Sequence, residues 1–147
     1  MNDIAGYSSA YFMKLTLKHG GNPNLVAPRL GETPLIAATS PSGKQNIPLL
    51  IQAGAKLNHE GGIGGATALM SAAGGNQYDV VYELLQARAN FRLQDTGGHD
   101  LRWYVDLSTH NMNRSGHTWQ MLQKVIDFLK AHDFWPPPKS QQYDWGG

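Results

Sequence analysis

The chain has 147 residues, of which 41% are hydrophobic and 16% charged, with 17 glycines, eight prolines and no cysteine. A single domain of this length buries enough apolar surface to fold without staples, and the absence of Cys excludes a disulfide framework, a thiolate metal site and a cysteine nucleophile. Twelve Lys and Arg against eleven Asp and Glu leave a formal charge of +1, which gives no electrostatic footprint for nucleic acid or an anionic membrane.

The longest apolar stretches, 47–55 and 80–87, are too short and too interrupted to span a bilayer. Met1–Tyr7 has neither a basic start nor an apolar run, so it does not read as a signal peptide. No membrane insertion is expected. The chain reads as cytoplasmic as it stands, or periplasmic if it is the trimmed form of an exported precursor. Charged residues fall below the roughly 25% of an ordinary domain and glycine exceeds its usual share of about 7%, so the glycines need a structural reason.

In chain order, the first unit (1–25) has room only for a clipped first helix over Met1–Tyr7, and its second helix ends at Gly20. In the second unit (26–58) Thr33-Pro34 opens a helix, with Thr as N-cap and Pro at the first helical position, where its missing N–H is no loss. Leu35, Ala37 and Ala38 give that helix a small-residue face. Ile47, Leu50 and Ile51 mark the second helix of the pair at helical spacing, and Gly54 ends it in a left-handed turn. The third unit (59–92) repeats this design 34 residues later: Thr67-Ala68-Leu69 follows Thr33-Pro34-Leu35, and Leu84-Leu85-Gln86-Ala87 follows Leu50-Ile51-Gln52-Ala53. Gly43 and Asn76 fall between paired helices, where positive φ is expected. The Thr-x-Leu unit returns as His99-Asp100-Leu101 in the fourth unit (93–135), with His99 in the capping place. The second helix of that unit carries Met121, Leu122, Val125, Phe128 and Leu129 at intervals of three and four.

Gly31-Glu32-Thr33-Pro34-Leu35-Ile36-Ala37-Ala38, the Val80–Leu85 helix and Gly20–Asn24 resemble the ankyrin repeat pattern. The resemblance implies an all-α repeat solenoid of about four helix-turn-helix units with β-hairpin fingers. Departures from the pattern carry their own expectations. Arg88 stands where Gly54 stands one unit earlier, at a cost of about 1 kcal/mol if left-handed, so a distorted turn is expected. His132 holds the same place in the last unit. Tyr104 and Val105 replace the paired alanines, which suits a terminal cap. Ser108–His117 reads as a loop inserted between the last two helices. Phe134-Trp135 reads as folding back over the last helix pair; Pro136-Pro137-Pro138 also suits a segment read by a proline-binding domain.

Chemistry is sparse. Gly61–Thr67 resembles a phosphate loop but lacks its Lys and the preceding strand. The six histidines show no i, i+4 pair, and the carboxylates are scattered singly, so neither a metal nor a cofactor nor an active site is expected. Candidate binding residues therefore come from the concave face of the solenoid: Ala37 and Ser40, then Ser71, Gly74 and Gly75, then Trp103 and Asp106. His59, Glu60, Ile63, Arg92, Gln94 and Asp95 join them from the fingers. Trp103 is read either as an interface anchor or as packing beneath the inserted loop. The expected partner is a protein, met by a chain that is monomeric when unbound. A narrower likeness, to small stand-alone bacterial ankyrin proteins with a Trp-Pro-Pro tail, implies an immunity-type inhibitor of a cognate toxin or secreted effector. A scaffold bridging two proteins is the alternative.

Overall fold

The computed structural model describes residues 13–29 and 31–142. The clipped helix expected over 1–7 lies outside the described residues. Residues 13–18 form α1, followed by α2 (Pro34–Ala37), α3 (Ile47–Gln52), α4 (Ala68–Gly74), α5 (Tyr78–Gln86), α6 (Leu101–Asn111) and α7 (Gly116–Ala131). Helices α2, α4 and α6 pack side by side as an inner row, while α5 packs against α7 in the outer row. Between the rows Leu35, Leu50, Leu69, Leu84, Leu101 and Leu122 are closed to solvent, each worth about 1.5–3 kcal/mol of transfer free energy. Ala72 and Ala73 are also fully buried, and their small side chains let adjacent inner helices approach.

Helix starts follow the sequence for two units and then depart from it. Thr33 and Thr67 accept the N–H groups of Ile36 and Met70 at 3.3 and 3.4 Å. In the fourth unit the cap is Asp100, not His99: its Oδ1 accepts the Arg102 N–H at 2.9 Å. Asp100 is 1% exposed, and its buried charge is met by the Arg102 guanidinium, 2.7 Å from Oδ2. A carboxylate is the better cap because its charge also faces the positive end of the helix.

Four outer helices end alike. Gly20, Gly54, Arg88 and Asp133 have φ of 82°, 82°, 70° and 53°. The next N–H in each case returns to the carbonyl five residues back, Gly21 to Thr16, Ala55 to Leu50, Ala89 to Leu84 and Phe134 to Leu129, at 2.8–3.0 Å. The turn at Arg88 is therefore not distorted; the same hydrogen bonds hold it left-handed despite the Cβ. In the last unit the left-handed residue is Asp133, while His132 keeps φ −105°. Asn76 is left-handed at φ 57°, but Gly43 is not, at φ −103°. Gly43 is needed for space, since a Cβ there would lie 2.9 Å from the Ala38 Cα.

No inserted loop separates the last two helices. The extra residues lengthen the helices instead: α6 has 11 residues against seven in α4, and α7 has 16. A buried polar network anchors the extension. The Tyr78 hydroxyl donates to Ser108 Oγ at 2.6 Å, and Ser108 Oγ lies 3.0 Å from both Asn76 Oδ1 and the Tyr104 carbonyl. Burial pushes the Tyr78 phenol well above its usual pKa, so it remains a donor. The chain then folds back: Phe134 is buried beneath the Arg102 guanidinium, 3.7 Å from its ring centroid, and Gln141 Nε2 donates to the Gly98 carbonyl at 3.1 Å.

The fingers are hydrogen-bonded loops rather than β-hairpins, with no strand among the described residues. Ala27 N–H to Glu32 O, Gly62 N–H to Ala66 O and Asp95 N–H to His99 O close them at 2.8–2.9 Å. Gly31, Gly64, Gly65 and Gly98 are left-handed, so the chain reverses where a ladder would have to extend. Successive fingers are tied together through His59 Nε2 and the Gly31 carbonyl at 2.9 Å, and through the Thr96 hydroxyl to the Gly64 carbonyl at 2.8 Å. A Cβ on Gly61 would overlap the Gly31 carbonyl oxygen.

Candidate functional site

The inner helices place equivalent positions in a row. Thr33, Thr67 and Asp100 are the three N-caps, so four residues further on Ala37, Ser71 and Tyr104 share one register. All three line a single open cleft of about 560 Å³. Ser40, Gly74, Gly75 and Ile63 line it too, so the structure brings together six of the sequence-derived candidates. Ile63 stands at the rim with 92% of its surface exposed. Ala37, Ser40, Gly74 and Gly75 are also exposed. Hydrogen, methyl or hydroxymethyl groups at Ala37, Ser40, Ser71, Gly74 and Gly75, in place of long side chains, leave the cleft unfilled.

Tyr104 is the wall residue that sequence reasoning assigned only to capping. Taking His99 as the cap put Trp103 opposite Ser71, whereas the Asp100 cap moves the register by one and puts Tyr104 there. The Tyr104 ring lies 3.7 Å from where a Cβ on Gly74 would be. Its hydroxyl donates to Asp95 Oδ2 at 2.6 Å, fixing the ring against the finger. Burial and the adjacent Asp95 carboxylate push the phenol well above its ordinary pKa. Burial also pushes the Asp95 carboxyl up, but hydrogen bonds from Tyr104 and from the His99 and Gly97 N–H groups outweigh it and leave it below the usual range.

Seven candidates lie outside this cleft. Trp103 lies against His99 with the rings tilted by 31° and their centroids 4.3 Å apart, and meets Tyr104 edge-on at 5.0 Å. It packs against the finger and not beneath an inserted loop. Asp95 is engaged by Tyr104, and His59 by the neighbouring finger. Arg92 points to the far end of the stack, where its Nη2 donates to the His132 carbonyl at 3.2 Å. Glu60 and Gln94 are exposed on the fingers and Asp106 is half-buried on α6.

A second, larger cleft of about 780 Å³ lies toward the N-terminal end, lined by Met13, Leu17, Leu25, Val26, Pro34 and Leu50 among others. Ala37 and Glu32 line both clefts. Among the described residues Glu32 carries the only formal charge on either lining, and its carboxylate has no hydrogen bond or ion pair to another of them.

Among the described residues no group of three or more His, Asp or Glu could hold a metal ion, and no helix is long and apolar enough to cross a membrane. Stacked helix pairs with hydrogen-bonded fingers and an open, small-residue cleft define a repeat solenoid built for surface contact. The family model for ankyrin repeats, in three copies, matches residues 4–95, and the chain belongs to the ankyrin repeat family, whose repeats are protein–protein interaction modules. The match stops where the repeat spacing changes, ahead of α6 and α7. The crystal structure of the ankyrin repeat domain of Bcl-3, titled a unique member of the IkappaB protein family, is similar, with a TM-score of 0.59 and 25% identity. The likeness covers 75% of this chain and 44% of that one, so this chain spans less than half of that domain. No curated protein sequence matches it.

Proposed function

We propose that the protein is a non-catalytic binder that holds one protein partner in the concave cleft between α2, α4 and α6, and that it acts as an inhibitor of the immunity type, neutralising a toxin or secreted effector. The observation that carries the reading is the convergence of Ala37, Ser71, Gly74 and Gly75 on one cleft, walled by Tyr104 and rimmed by Ile63. An open groove on the concave side of stacked repeats is the kind of surface such solenoids use for binding, and here it offers room for a protruding loop or side-chain cluster of a partner. The small lining supports contact without chemistry, because no base is paired with its hydroxyls: Ser40 Oγ meets the Ala37 carbonyl and Ser42, and the Tyr104 hydroxyl is given to Asp95. A scaffold needs two independent faces, whereas the two clefts here adjoin through Ala37 and Glu32, which favours a single interface.

The test is affinity capture with the wild type and Ser71→Arg side by side, followed by co-expression with the captured protein. Ser71→Arg fills the cleft from a half-buried inner-helix position on its lining. Loss of the partner at an unchanged melting temperature, with protection of the host from the partner's toxicity by the wild type alone, is expected. Retention of the partner by Ser71→Arg would overturn the cleft as the interface, and a non-toxic partner would overturn the immunity reading. A complex holding two different partners at once would replace it with the scaffold.

A further inference from the structure

We infer that the segment received by the concave cleft is basic and apolar in alternation: a Lys or Arg placed on Glu32 beside an aliphatic or aromatic side chain seated under Ile63. This rests on the proposed binding role and adds the chemistry of the partner.

The charge pattern of the face carries the inference. The cations near it are engaged elsewhere or lie off its lining. Arg102 is held by Asp100 at 2.7 Å, and Arg92 reaches the His132 carbonyl and lies 4.5 Å over the Phe134 ring. Arg29, on the first finger, lines neither cleft. The carboxylates of Glu32, Glu60 and Asp106 have no hydrogen bond or ion pair among the described residues. Glu32 differs from the other two in position. It is half-buried and sits where the two clefts meet, flanked by Ile36, Ala37 and Pro34. A carboxylate in apolar surroundings attracts a cation more strongly than one in open water, and the cation–carboxylate hydrogen bond is of the charge-assisted kind. An anionic segment would bring like charges together in the same place, which discriminates against it. Met70, Ile36 and Ala66 beside Ile63 supply the apolar seat next to that charge.

The experiment is selection of phage-displayed random dodecapeptides on the immobilised intact chain, followed by synthesis of the enriched peptides. Their affinities are measured on the wild type, Glu32→Gln and Ser71→Arg, with melting temperatures recorded for each. Enrichment of Lys or Arg next to apolar residues, binding about tenfold weaker on Glu32→Gln, and abolition by Ser71→Arg are expected, together with weakening as salt is raised. Peptides blocked by Ser71→Arg that lack basic residues, or that bind Glu32→Gln as tightly as the wild type, overturn this inference and leave the binding role standing. Peptides indifferent to Ser71→Arg overturn both. Selection that enriches no peptide overturns the inference alone, because the binding role is decided separately by partner capture.

Discussion

Arg92 Nη2 donates to the carbonyl oxygen of His132 at 3.2 Å, closing a series of links between repeats that begins with asparagines. Asn24 Oδ1 accepts the Lys56 N–H at 2.7 Å, and 34 residues later Asn58 Oδ1 accepts the Asn90 N–H at 2.8 Å. Arg92 is the next residue in that register. There the long arginine side chain, rather than a short amide, reaches across to the end of α7. It also covers the rings of Phe91 and Phe134 at 5.2 and 4.5 Å.

Replacing Arg92 with Ala removes one exposed hydrogen bond and the covering of two rings, so destabilisation of about 1–2 kcal/mol is expected. Urea unfolding measures it. Partner affinity is expected to stay at the wild-type value, since Arg92 is turned away from the concave cleft. A loss of affinity without a loss of stability would return Arg92 to the interface.

Arg88 is left-handed in a turn otherwise identical to the one at Gly54. A Cβ in that conformation costs about 1–2 kcal/mol, while glycine gives back about 0.5–1 kcal/mol through the entropy of the unfolded chain. Arg88→Gly is therefore expected to stabilise by about 0.5–1 kcal/mol and to raise the melting temperature by about 2–3 °C. Asp133→Gly should gain less, because Asp tolerates the left-handed region better. Calorimetry of both variants decides the matter, and an Arg88→Gly protein that melts lower would show that the Arg88 side chain contributes more than its strain costs.

Trp103 lies against His99 and Tyr104 with part of its surface open. As an interface anchor beside the cleft, it should cost about 2 kcal/mol of partner affinity when cut to Ala. The same change should lower the melting temperature by removing the ring contact with His99. His99→Ala separates the two effects: it is expected to lower the melting temperature while keeping most of the affinity. Equal affinity for wild type and Trp103→Ala would assign Trp103 to packing alone.

The two helix pairs with a strict 34-residue period were legible because Thr33, Pro34, Leu35 and their counterparts fix caps, register and buried face through local chemistry. The last pair was not, for two reasons. His99 and Asp100 both suit the end of a finger, and only the fold shows that Asp100 is buried against Arg102. That one-residue ambiguity exchanged Trp103 for Tyr104 in the cleft. Ser108–His117 reads as loop by composition, yet the buried hydroxyl pair of Tyr78 and Ser108 pulls its first residues into α6, a contact across 30 positions that no local pattern contains. The central lining, from Ala37 to Gly75, was legible because small residues recur at the same repeat positions. Glu32 was not, since an isolated carboxylate in a finger carries no signal until two clefts are seen to meet at it.

Tyr104 and Asp95 make the stability of the cleft wall dependent on pH. Asp95 has a folded pKa below its ordinary value, because hydrogen bonds from Tyr104, His99 and Gly97 outweigh the effect of burial. Its contribution is therefore complete above the unfolded carboxyl pKa, near pH 4, and is lost as the pH falls through the lower folded value. Tyr104→Phe removes the 2.6 Å hydrogen bond and leaves the ring in place. A loss of about 1.5–3 kcal/mol is expected at pH 7, the range for a hydrogen bond to a charged group, shrinking as the pH falls below the ordinary carboxyl range and Asp95 takes up a proton in both proteins. Asp79, lowered by Lys44 despite its own burial, and Glu83, raised by burial and by Asp79, titrate in both proteins and cancel in the difference. Urea unfolding of the wild type and Tyr104→Phe between pH 2.5 and 7 measures that difference directly. A gap that stays constant across this range would mean that Tyr104 stabilises the wall by packing against Gly74 and not through the Asp95 carboxylate.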